Sequence, residues 1–549
     1  MKELIKTYLL DIIRKLAPDF RENVLVEIPE NKEYGDYTTN VAFVLSKILK
    51  KSPQEIAEYL VSKLEKQKIS DFSKIESRNG FVNFYLSENY LYGKLEEILK
   101  KKKNYRSPTS ITSINIEFIS ANPTGPLTLG NGRGGFYGDV LANILGTQGY
   151  KITREYYIND RGEQILALGR SIKKSQGFES SSIPGIEELA KGEGRIPGIN
   201  AIGDGNLYKG EYINELAKQI DKKLNAEEAG QKAAELILKT YIKPIIKMAG
   251  MKFDNWFSEK TLYAKGGYEK IMADLMRKNL VYEKDGATWL KTTEFGDNDD
   301  RVLIKTSGEE TYFTSDILYH IDKIKVRKFD KVIDIWGADH HGYAPRLKAA
   351  LKALGVSGDS LKIIISQLVC LIKDGKEMKI SKRAGNFITL GELIGEVGLD
   401  AARFYFLMYS PDTHMDFDIG LAKERSQKNP VYYAQYAHAR AVSILRKATS
   451  DKRQATNLNF LKEKEELNLI RKLIEFPELL GKISVNYEVH RLPRYSLELA
   501  REFHNFYEKC RVITEDKTLT SARLNLVTAI KIVLANALNL MGIKAPDKM

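Results

Sequence analysis

A strand, a loop rich in glycine and proline, and a helix follow one another between residues 112 and 149. The strand is INIEFIS, the loop is ANPTGPLTLGNG, and RGGFYGDVLANILGTQG carries apolar residues at helical spacing. This order opens a βαβ unit, whose strands pair in parallel. Further β-type runs, YKITREYYI, KVIDIWG and LKIIISQLVCLI, can supply the neighbouring strands. We therefore predict a Rossmann-type α/β domain with a parallel sheet.

The chain of 549 residues is long enough for several domains, since compact domains usually hold about 100–200 residues. Residues 1–106 combine helical periodicity with the alternating run GFVNFYLS and end in lysines, which predicts a small α+β domain and a linker. Residues 107–403 are predicted to form the Rossmann-type domain, with an insertion at about 170–245 in which the glycine-rich part 177–210 is predicted to be irregular. Residues 404–549 have helical periodicity, which predicts an all-α bundle.

The chain carries 85 Lys and Arg against 72 Asp and Glu, a formal net charge of +13. Such an excess fits nucleic acid or a membrane surface as partner, although basic proteins with neither are common. The two cysteines, Cys370 and Cys510, stand far apart, which excludes a disulfide framework and a thiolate zinc site. The amphipathic start has no cleavage-site pattern, and no apolar run approaches about 20 residues. We expect a cytoplasmic protein that does not bind membranes.

The glycines of the first loop match the pattern G-x-G-x-x-G at Gly130, Gly132 and Gly135. With Glu155 following in the next strand, the pattern alone suggests a dinucleotide site and a nicotinamide-dependent oxidoreductase. However, a long loop with two prolines separates the strand from the first glycine, whereas a dinucleotide fingerprint begins almost at the strand end. The simpler prediction is a phosphate bound by the N–H groups of a glycine-rich helix N-terminus. Glycines that only turn the chain are the alternative.

A second segment, KDGKEMKISKRAGNFITL at residues 373–390, is rich in lysine and contains two glycines. It predicts a flexible cationic loop with polar residues at Lys379, Ser381, Lys382 and Arg383. Such a loop can close over a polyphosphate and neutralise the charge that develops in phosphoryl or nucleotidyl transfer. A lysine-rich loop that is only solvated is the alternative.

Taken together, the two segments resemble a known family. PLTLGNGR resembles the H-I-G-H signature of class I aminoacyl-tRNA synthetases, and KISKR resembles their K-M-S-K-S loop. The surrounding stretches resemble the arginyl-tRNA synthetases of bacterial type: EFISANPTGPL, REYYINDRGEQI, YKGEYI, DDRVLIKTSGEETYFTSDILYH, IWGADHHGYAPRLKAAL, SKRAGNFITL, NPVYYAQYAHAR, FHNFYEKCRV and GIKAPDKM. The resemblance covers essentially the whole chain.

The resemblance implies that L-arginine and ATP react to arginyl-adenylate, with Mg²⁺ sharing the phosphate charge, and that the arginyl group passes to the terminal ribose of tRNA(Arg). It also implies an N-terminal domain that contacts tRNA and a C-terminal anticodon-binding domain, and we expect a monomer. The signature histidines are replaced by Thr128 and Asn131, which can donate only neutral hydrogen bonds. We expect Lys379, Lys382 and Arg133 to supply the positive charge.

By resemblance, the residues expected to bind ATP lie in the two signature segments and in the ADHHG motif: Thr128, Gly130, Asn131, Gly132, Arg133, His340, Lys379 and Lys382. Those expected to act in catalysis are Lys382, Lys379, Ser381, Thr128 and Asn131. For His340 and its neighbour His341, a structural hydrogen-bonding pair at a strand end is the alternative.

An arginine site needs carboxylates for the planar cation and can use an aromatic face. The run TYFTSD supplies Tyr312 and Asp316 at i and i+4, which places ring and carboxylate on one face of a helix. By resemblance, the arginine-binding positions are Glu117, Asn122, Tyr312, Asp316 and His340. A core position is the alternative for Tyr312.

Aromatic and basic residues alternate near the start of the helical region, at Tyr432, Tyr436 and Arg440. Such a surface suits stacking on unpaired bases beside phosphate contacts, although a packed helix face would have a similar pattern. The N-terminal residues that resemble positions in contact with the elbow of the tRNA are Asn79, Phe81 and Asn83.

The sequence leaves two alternatives to a ligase open. An oxidoreductase would use the glycine pattern and Glu155 and would have no need of the lysine loop. A non-catalytic RNA-binding paralogue would keep the C-terminal surface, and the altered Thr128 and Asn131 fit that idea. The residues that count against such a paralogue are Lys379, Ser381, Lys382, Glu117 and Asp316.

Overall fold

The structure is a computed structural model of the chain, and it describes residues 1–101, 112–178, 207–264, 266–373, 375–378, 388–448 and 457–549. Three regions follow one another within these ranges: an α+β region, an α/β region and a helical region. The predicted catalytic residues Lys379, Ser381 and Lys382 lie outside the described residues.

The N-terminal region packs helices against a small antiparallel sheet. Its helices are Lys2–Leu16 (α1), Val41–Leu49 (α2), Pro53–Glu65 (α3) and Glu88–Lys101 (α4). Its strands are Tyr37–Thr39 (β1), Phe72–Arg78 (β2) and Phe81–Leu86 (β3). β3 lies between β1 and β2, and a turn of Asn79 and Gly80, both with positive φ, joins β2 to β3. The predicted α+β fold of this region is confirmed.

The α/β region follows, and strands and helices alternate along much of its length. The strands are Ser113–Glu117 (β4), Lys151–Ile158 (β5), Asn255–Ser258 (β6), Val281–Lys284 (β7), Ala287–Leu290 (β8), Arg301–Ile304 (β9), Lys331–Gly337 (β10), Leu361–Ser366 (β11), Val369–Lys373 (β12), Lys376–Met378 (β13) and Met415–Asp418 (β14). The helices are Leu129–Thr147 (α5), Glu163–Ser175 (α6), Glu211–Gln219 (α7), Ala226–Ile237 (α8), Lys243–Met248 (α9), Lys260–Ala264 (α10), Gly267–Arg277 (α11), Tyr312–Ile321 (α12), Ala344–Ala353 (α13), Leu390–Val397 (α14), Leu399–Leu407 (α15) and Ile419–Lys423 (α16).

The central sheet has five parallel strands in the order β11-β10-β4-β5-β6. The chain leaves β4 through α5 to β5 on one side and later returns to β10 on the other side. This arrangement makes a topological switch point between β4 and β10, and open α/β sheets bind their ligands there, at the carboxyl ends of the strands. The predicted Rossmann-type fold with a parallel sheet is confirmed. Two further sheets have the orders β7-β8-β9 and β13-β12-β14.

Between β5 and β6 the described residues form a packed helical layer. α6 and α8 cross so closely that a Cβ at Gly169 would lie 1.6 Å from the carbonyl oxygen of Ala226, and one at Gly230 would lie 2.0 Å from that of Ile165. Facing glycines therefore let the two backbones touch. The predicted irregular connection at 177–210 falls mainly on residues 179–206, which lie outside the described residues.

The C-terminal region is helical, as predicted, with helices Pro430–Lys447 (α17), Lys464–Asn486 (α18), Arg491–Lys509 (α19) and Lys517–Leu540 (α20). By length and composition alone α20 could cross a membrane, which corrects the expectation that no apolar stretch approaches that length. Within the protein, 61% of its apolar window is buried, as in a core helix. α20 packs against α17 and α19.

Candidate active site

The loop that follows β4 starts in a strained conformation. Ile119 and Ser120 have φ angles of 66° and 36°, a region that non-glycine residues rarely adopt and that is especially unusual for a β-branched residue. Ser120 is held in place because its hydroxyl accepts a hydrogen bond from the Tyr157 N–H on β5 at 3.0 Å. The Tyr156 hydroxyl donates to the carbonyl oxygen of Ala121 at 2.8 Å. These contacts fix the loop, and with it the half-buried Asn122, to the neighbouring strand.

Thr128 is the N-cap of α5 and is paired with Asn131. The N–H and the hydroxyl of Thr128 both donate to Asn131 Oδ1, each at 2.9 Å. The Thr128 hydroxyl proton is therefore already used inside the protein, and a contact of Thr128 with ATP stays a prediction. Gly130 is exposed, and a Cβ there would meet only the Thr128 hydroxyl oxygen, at 3.9 Å. The first turn of α5 thus offers open backbone N–H groups, which suit an anion.

The other glycines of α5 serve close packing. A Cβ would lie 2.5 Å from the Leu390 side chain if added at Gly132, 2.9 Å from Ile119 at Gly135, and 2.5 Å from Phe118 at Gly138. Gly132, which was predicted to bind ATP, is instead buried beneath Leu390. The glycine pattern lets α5 lie directly against the loop after β4 and against the segment that follows the lysine-rich loop.

The Arg133 side chain binds backbone carbonyl oxygens inside the protein rather than a phosphate. Its side chain is only 2% exposed, and its guanidinium donates at distances of 2.6 to 3.1 Å to the carbonyl oxygens of Gln367, Leu368, Ser410 and Thr413. The prediction that Arg133 supplies charge to ATP is wrong, because all these hydrogen bonds tie it to the segments after β11 and before β14.

The end of the lysine-rich segment lies against the start of α5. The Leu390 N–H donates to the carbonyl oxygen of Leu127 at 2.9 Å, and Thr389 forms an isolated β-bridge with Thr128. On its other side the segment begins at β13, which pairs with β12. The described residues at the end of the lysine-rich segment are therefore attached to the start of α5, whose first turn is predicted to bind phosphate.

Tyr312 and Asp316 lie on the first turns of α12, as their spacing predicted. The Tyr343 hydroxyl donates to the Asp316 carboxylate at 2.5 Å, and burial raises the pKa of Asp316. The Tyr312 hydroxyl is buried beside the backbone of Gln164 without a well-formed hydrogen bond. His340 follows β10, is exposed, and its ring centroid lies 6.3 Å from that of Tyr343. The structure therefore brings ring, carboxylate and imidazole to one end of the sheet.

Glu259 adds a second carboxylate to this end of the sheet, and no sequence motif predicted it. It follows β6 directly and is only 2% exposed. Burial raises the pKa of Glu259 to about 7, and the negative charge of Asp316 adds to this effect. The signal that could have revealed Glu259 is its position: like Asn122 and His340, it is a polar residue just after the carboxyl end of a parallel strand.

Glu117 and Glu155 are each paired with a cation, Glu117 with the fully buried Lys323 and Glu155 with Arg327, which is 23% exposed. Glu117 is 6% exposed, and its Oε2 lies 2.5 Å from Lys323 Nζ. Glu117 thus already has a positive partner, and its contact with arginine stays a prediction. The guanidinium of Arg327 donates to both carboxylate oxygens of Glu155, at 2.5 and 2.9 Å. Glu155 therefore cannot accept the ribose hydroxyl that the oxidoreductase alternative requires.

In the N-terminal region, Asn79 and Phe81 are accessible whereas Asn83 is not. Asn79 is exposed in the turn between β2 and β3, and Phe81 is 39% exposed. The Phe81 ring lies 5.1 Å from that of Phe43, which is 37% exposed. Asn83 is 1% exposed and accepts a hydrogen bond from the Thr38 hydroxyl at 2.7 Å. The prediction that Asn83 contacts tRNA is therefore wrong.

Tyr432, Tyr436 and Arg440 form a partly exposed row on α17. The rings of Tyr432 and Tyr436 are nearly parallel, with centroids 6.3 Å apart. The Arg440 guanidinium lies 4.2 Å from the centroid of the Tyr507 ring and 5.6 Å from that of Tyr436. The row combines flat rings with a cation, which are the groups that stack on nucleobases and contact phosphates.

Three sequence families match successive parts of the chain. Residues 3–86 match the "Arginyl tRNA synthetase N terminal domain", residues 94–407 match "tRNA synthetases class I (R), catalytic domain", and residues 434–549 match the "DALR anticodon binding domain". The matches together include all three regions of the fold.

Curated relatives and solved structures agree with these families. The chain is 40% identical over 599 residues to the arginine–tRNA ligase of Aquifex aeolicus, with 100% of both chains covered. It is 42% identical to that of Staphylococcus aureus, with 96% of this chain and 95% of the relative covered. The structure of the Thermus thermophilus arginyl-tRNA synthetase is 21% identical, covers 100% of both chains and has a TM-score of 0.79, so the fold is the same.

Proposed function

Because the chain belongs to the arginyl-tRNA synthetases, the class I ligases that join arginine to tRNA, we propose that the switch-point site between β4 and β10 activates L-arginine with ATP and passes the arginyl group to tRNA(Arg). The roles of individual residues in arginine activation and in transfer to tRNA are likewise proposed.

The observation that carries the substrate assignment is the pair of carboxylates at this end of the sheet, Asp316 and Glu259, near the Tyr312 hydroxyl. Burial raises the pKa of both carboxyls because it disfavours their charged forms. A bound guanidinium would instead favour the charged carboxylates and lower their pKa, because it supplies positive charge and a planar set of N–H donors that match a carboxylate. In this proposal Asp316 binds the guanidinium of arginine, and Tyr312 lies beside that group. Asn122, in the loop after β4, accepts a hydrogen bond from the α-ammonium group.

The ATP phosphates are proposed to lie over the first turn of α5. The backbone N–H of Gly130 and the side-chain amide of Asn131 can donate there, and the helix dipole favours negative charge at this end. His340, which follows β10, is proposed to lie beside the adenosine of ATP. Lys379, Ser381 and Lys382 are proposed to bind the phosphates as well, and the described end of their segment, at Thr389 and Leu390, is attached to Thr128 and Leu127.

Mg²⁺ is expected to arrive with the nucleotide. Within the described ranges, no group of three or more His, Cys, Asp or Glu side chains could hold a metal ion. These residues thus do not fit a resident Mg²⁺ site, whereas Mg²⁺ binds phosphate oxygens and water readily. The ligands of the metal are therefore expected to come mainly from the nucleotide and from water.

The chemistry needs no nucleophile from the protein. The arginine carboxylate attacks the α-phosphorus of ATP, the bond to the bridging oxygen breaks, and pyrophosphate leaves. A hydroxyl of the terminal ribose then attacks the carbonyl carbon of the arginyl-adenylate, and AMP leaves with the bonding electron pair. Catalysis is therefore positioning plus stabilisation of phosphate charge, for which Lys379 and Lys382 are the proposed cations.

The tRNA is proposed to contact two separate surfaces. Asn79 and Phe81 offer an exposed turn and ring in the N-terminal region, and Tyr432, Tyr436 and Arg440 offer the row on α17. The formal net charge of +13 favours such a polyanionic partner. We further propose that the enzyme acts in the cytoplasm as a monomer.

The experiment that tests this function is charging of purified tRNA(Arg) with radiolabelled arginine, with radiolabelled lysine as control. The proposal predicts ATP-dependent incorporation of arginine, with release of AMP, and no incorporation of lysine. If the tRNA binds but neither amino acid is incorporated, the chain is the non-catalytic RNA-binding paralogue.

A further inference from the structure

Three carboxylates lie in register across neighbouring strands of the central sheet. Asp334 on β10 pairs with Glu117 on β4, and Glu117 pairs with Glu155 on β5. Residues in register on adjacent strands point to the same face of a sheet, so three acidic side chains project together from its middle. All three are buried, with exposures of 0%, 6% and 0%.

Three cations from α12 and the turn after it meet these carboxylates. His320 Nε2 lies 2.6 Å from Asp334 Oδ2, and Lys323 Nζ lies 2.5 Å from Glu117 Oε2 and 2.9 Å from Asp334 Oδ1. Arg327 donates to both carboxylate oxygens of Glu155. A π-helical turn, Asp322–Val326, follows α12 and carries Lys323. We call these six residues the ion row: Asp334, Glu117, Glu155, His320, Lys323 and Arg327.

Both ring nitrogens of His320 face hydrogen-bond acceptors. Nδ1 lies 2.6 Å from the carbonyl oxygen of Asp316, and Nε2 lies 2.6 Å from the Asp334 carboxylate. A neutral imidazole has a single N–H, so only the imidazolium can donate to both. Burial works against this charge, but the Asp334 charge and hydrogen bond outweigh it and raise the pKa of His320. Burial likewise opposes the charge of Asp334, yet Lys323 and His320 lower the pKa of Asp334 to about 2.

The ion row also determines which carboxylate is left for a ligand. Its three cations contact the three sheet carboxylates, and none of their ion pairs among the described residues reaches the side chain of Asp316. Asp316 is nevertheless held at two points: His320 donates to its carbonyl oxygen, and the Tyr343 hydroxyl donates to its carboxylate at 2.5 Å. The carboxylate is therefore oriented without an ion pair to any of these three cations.

We propose that His320 is a positioning residue for arginine recognition: as a buried imidazolium it links Asp334 on β10 to the backbone of Asp316 and so fixes the Asp316 carboxylate for the guanidinium. Lys323 supports it by keeping Asp334 ionised. This role rests on the proposed contact between Asp316 and arginine. The charged groups that face His320 are Asp334 from β10, Glu117 from β4, and Asp316 and Lys323 from its own helix and turn.

The first test measures the protonation of His320 in the full-length chain. Histidine labelled with ¹⁵N in the ring is incorporated, and the signal of His320 is assigned by replacing each of the six other histidines in turn. The proposal predicts that both ring nitrogens of His320 carry protons at pH 7.5. A neutral tautomer at this pH would overturn it, and this measurement needs no variant at His320.

The second test is kinetic and uses His320→Gln, whose amide can donate to one acceptor but carries no charge. Because hydrogen bonds of charged groups are stronger than neutral ones, we expect KM for arginine to rise about tenfold, while kcat and KM for ATP change less than about twofold. His438→Gln is the matched control, since His438 is also 2% exposed and its Nδ1 lies 2.9 Å from the Pro546 carbonyl oxygen, far along the chain from α12. It should leave KM for arginine unchanged.

Asp316→Asn, measured in parallel, separates this inference from the proposed function. If Asp316→Asn raises KM for arginine and a folded His320→Gln does not, the positioning role of His320 is wrong and the pocket assignment stands. If Asp316→Asn itself leaves KM for arginine unchanged, the pocket assignment fails and the role of His320 fails with it. A rise in KM for ATP equal to that for arginine would indicate a merely structural role for His320.

Discussion

The backbone N–H of Leu390 donates a hydrogen bond to the carbonyl oxygen of Leu127 at 2.9 Å. This contact attaches the end of the lysine-rich segment to the residue before the N-cap of α5, although the two lie in distant parts of the chain. The packing of Leu390 onto Gly132 strengthens the same junction. The described end of the lysine-rich segment is thereby held against the start of α5, the helix of the first signature segment.

The first prediction concerns the cationic loop. Lys382→Ala should lower kcat of arginine activation by about 10²-fold or more, because its charge is matched to the phosphates in the transition state. KM for arginine should hardly change. Lys376→Ala, which removes an exposed lysine of β13 next to the loop, is the control and should leave both constants unchanged. A variant Lys382→Ala with intact kcat and raised KM for arginine would show that the assigned role is wrong.

The second prediction concerns selectivity for arginine. Asp316→Asn keeps the shape of the side chain and removes its charge, so KM for arginine should rise by about 10-fold or more, while KM for ATP stays nearly constant. Citrulline, a neutral isostere of arginine, should then be rejected less strongly in competitive charging assays. Asp359→Asn, which alters an exposed carboxylate just before β11, serves as control. An unchanged preference for arginine over citrulline would remove Asp316 from the pocket.

The third prediction concerns pH. The pKa of Glu259 is raised to about 7, so the free enzyme holds this carboxyl protonated below that pH and ionised above it. A guanidinium binds more tightly to a pocket with the ionised carboxylate. KM for arginine should therefore fall as the pH rises from 6 to 8, by up to about tenfold per pH unit below pH 7. In Glu259→Gln this dependence should disappear, and parallel profiles for the two proteins would place Glu259 outside the pocket.

The fourth prediction uses two glycines of the same helix. In Gly132→Ala the new Cβ would lie 2.5 Å from the buried Leu390 side chain, so the variant should lose about 1–3 kcal/mol of stability through overpacking and should bind ATP more weakly. In Gly146→Ala the new Cβ meets nothing within 4 Å, and the variant should gain about 0.5–1 kcal/mol. Thermal unfolding and KM for ATP measure both effects. Equal behaviour of the two variants would contradict the junction between α5 and the lysine-rich segment.

Local sequence patterns predicted the elements of the fold and part of the site. Alternating or continuous apolar runs marked the strands of the central sheet, and the spacing of Tyr312 and Asp316 placed both on one helix. These features depend on neighbours within one or two turns, which a sequence shows directly. The same patterns predicted the helical end of the chain.

Residue types were misleading where burial decides their role. Arg133 carries the expected charge, but four carbonyl oxygens bind it inside the protein. Gly132 and Gly135 fit a phosphate loop by pattern, yet they allow α5 to pack closely. Glu259 has no neighbouring motif, and its raised pKa arises from burial in the folded chain. The register of Asp334, Glu117 and Glu155 depends on pairing between distant strands, which no local pattern reveals.

A single site at the switch point is proposed to hold both arginine and the ATP phosphates. The decisive measurement is a crystal structure of the protein with the sulfamoyl analogue of arginyl-adenylate. We predict that the guanidinium is hydrogen-bonded to Asp316, and that the sulfamate, which stands in for the α-phosphate, lies over the first turn of α5 near Gly130. An analogue bound with its guanidinium away from Asp316, or with its sulfamate away from α5, would contradict the proposed site.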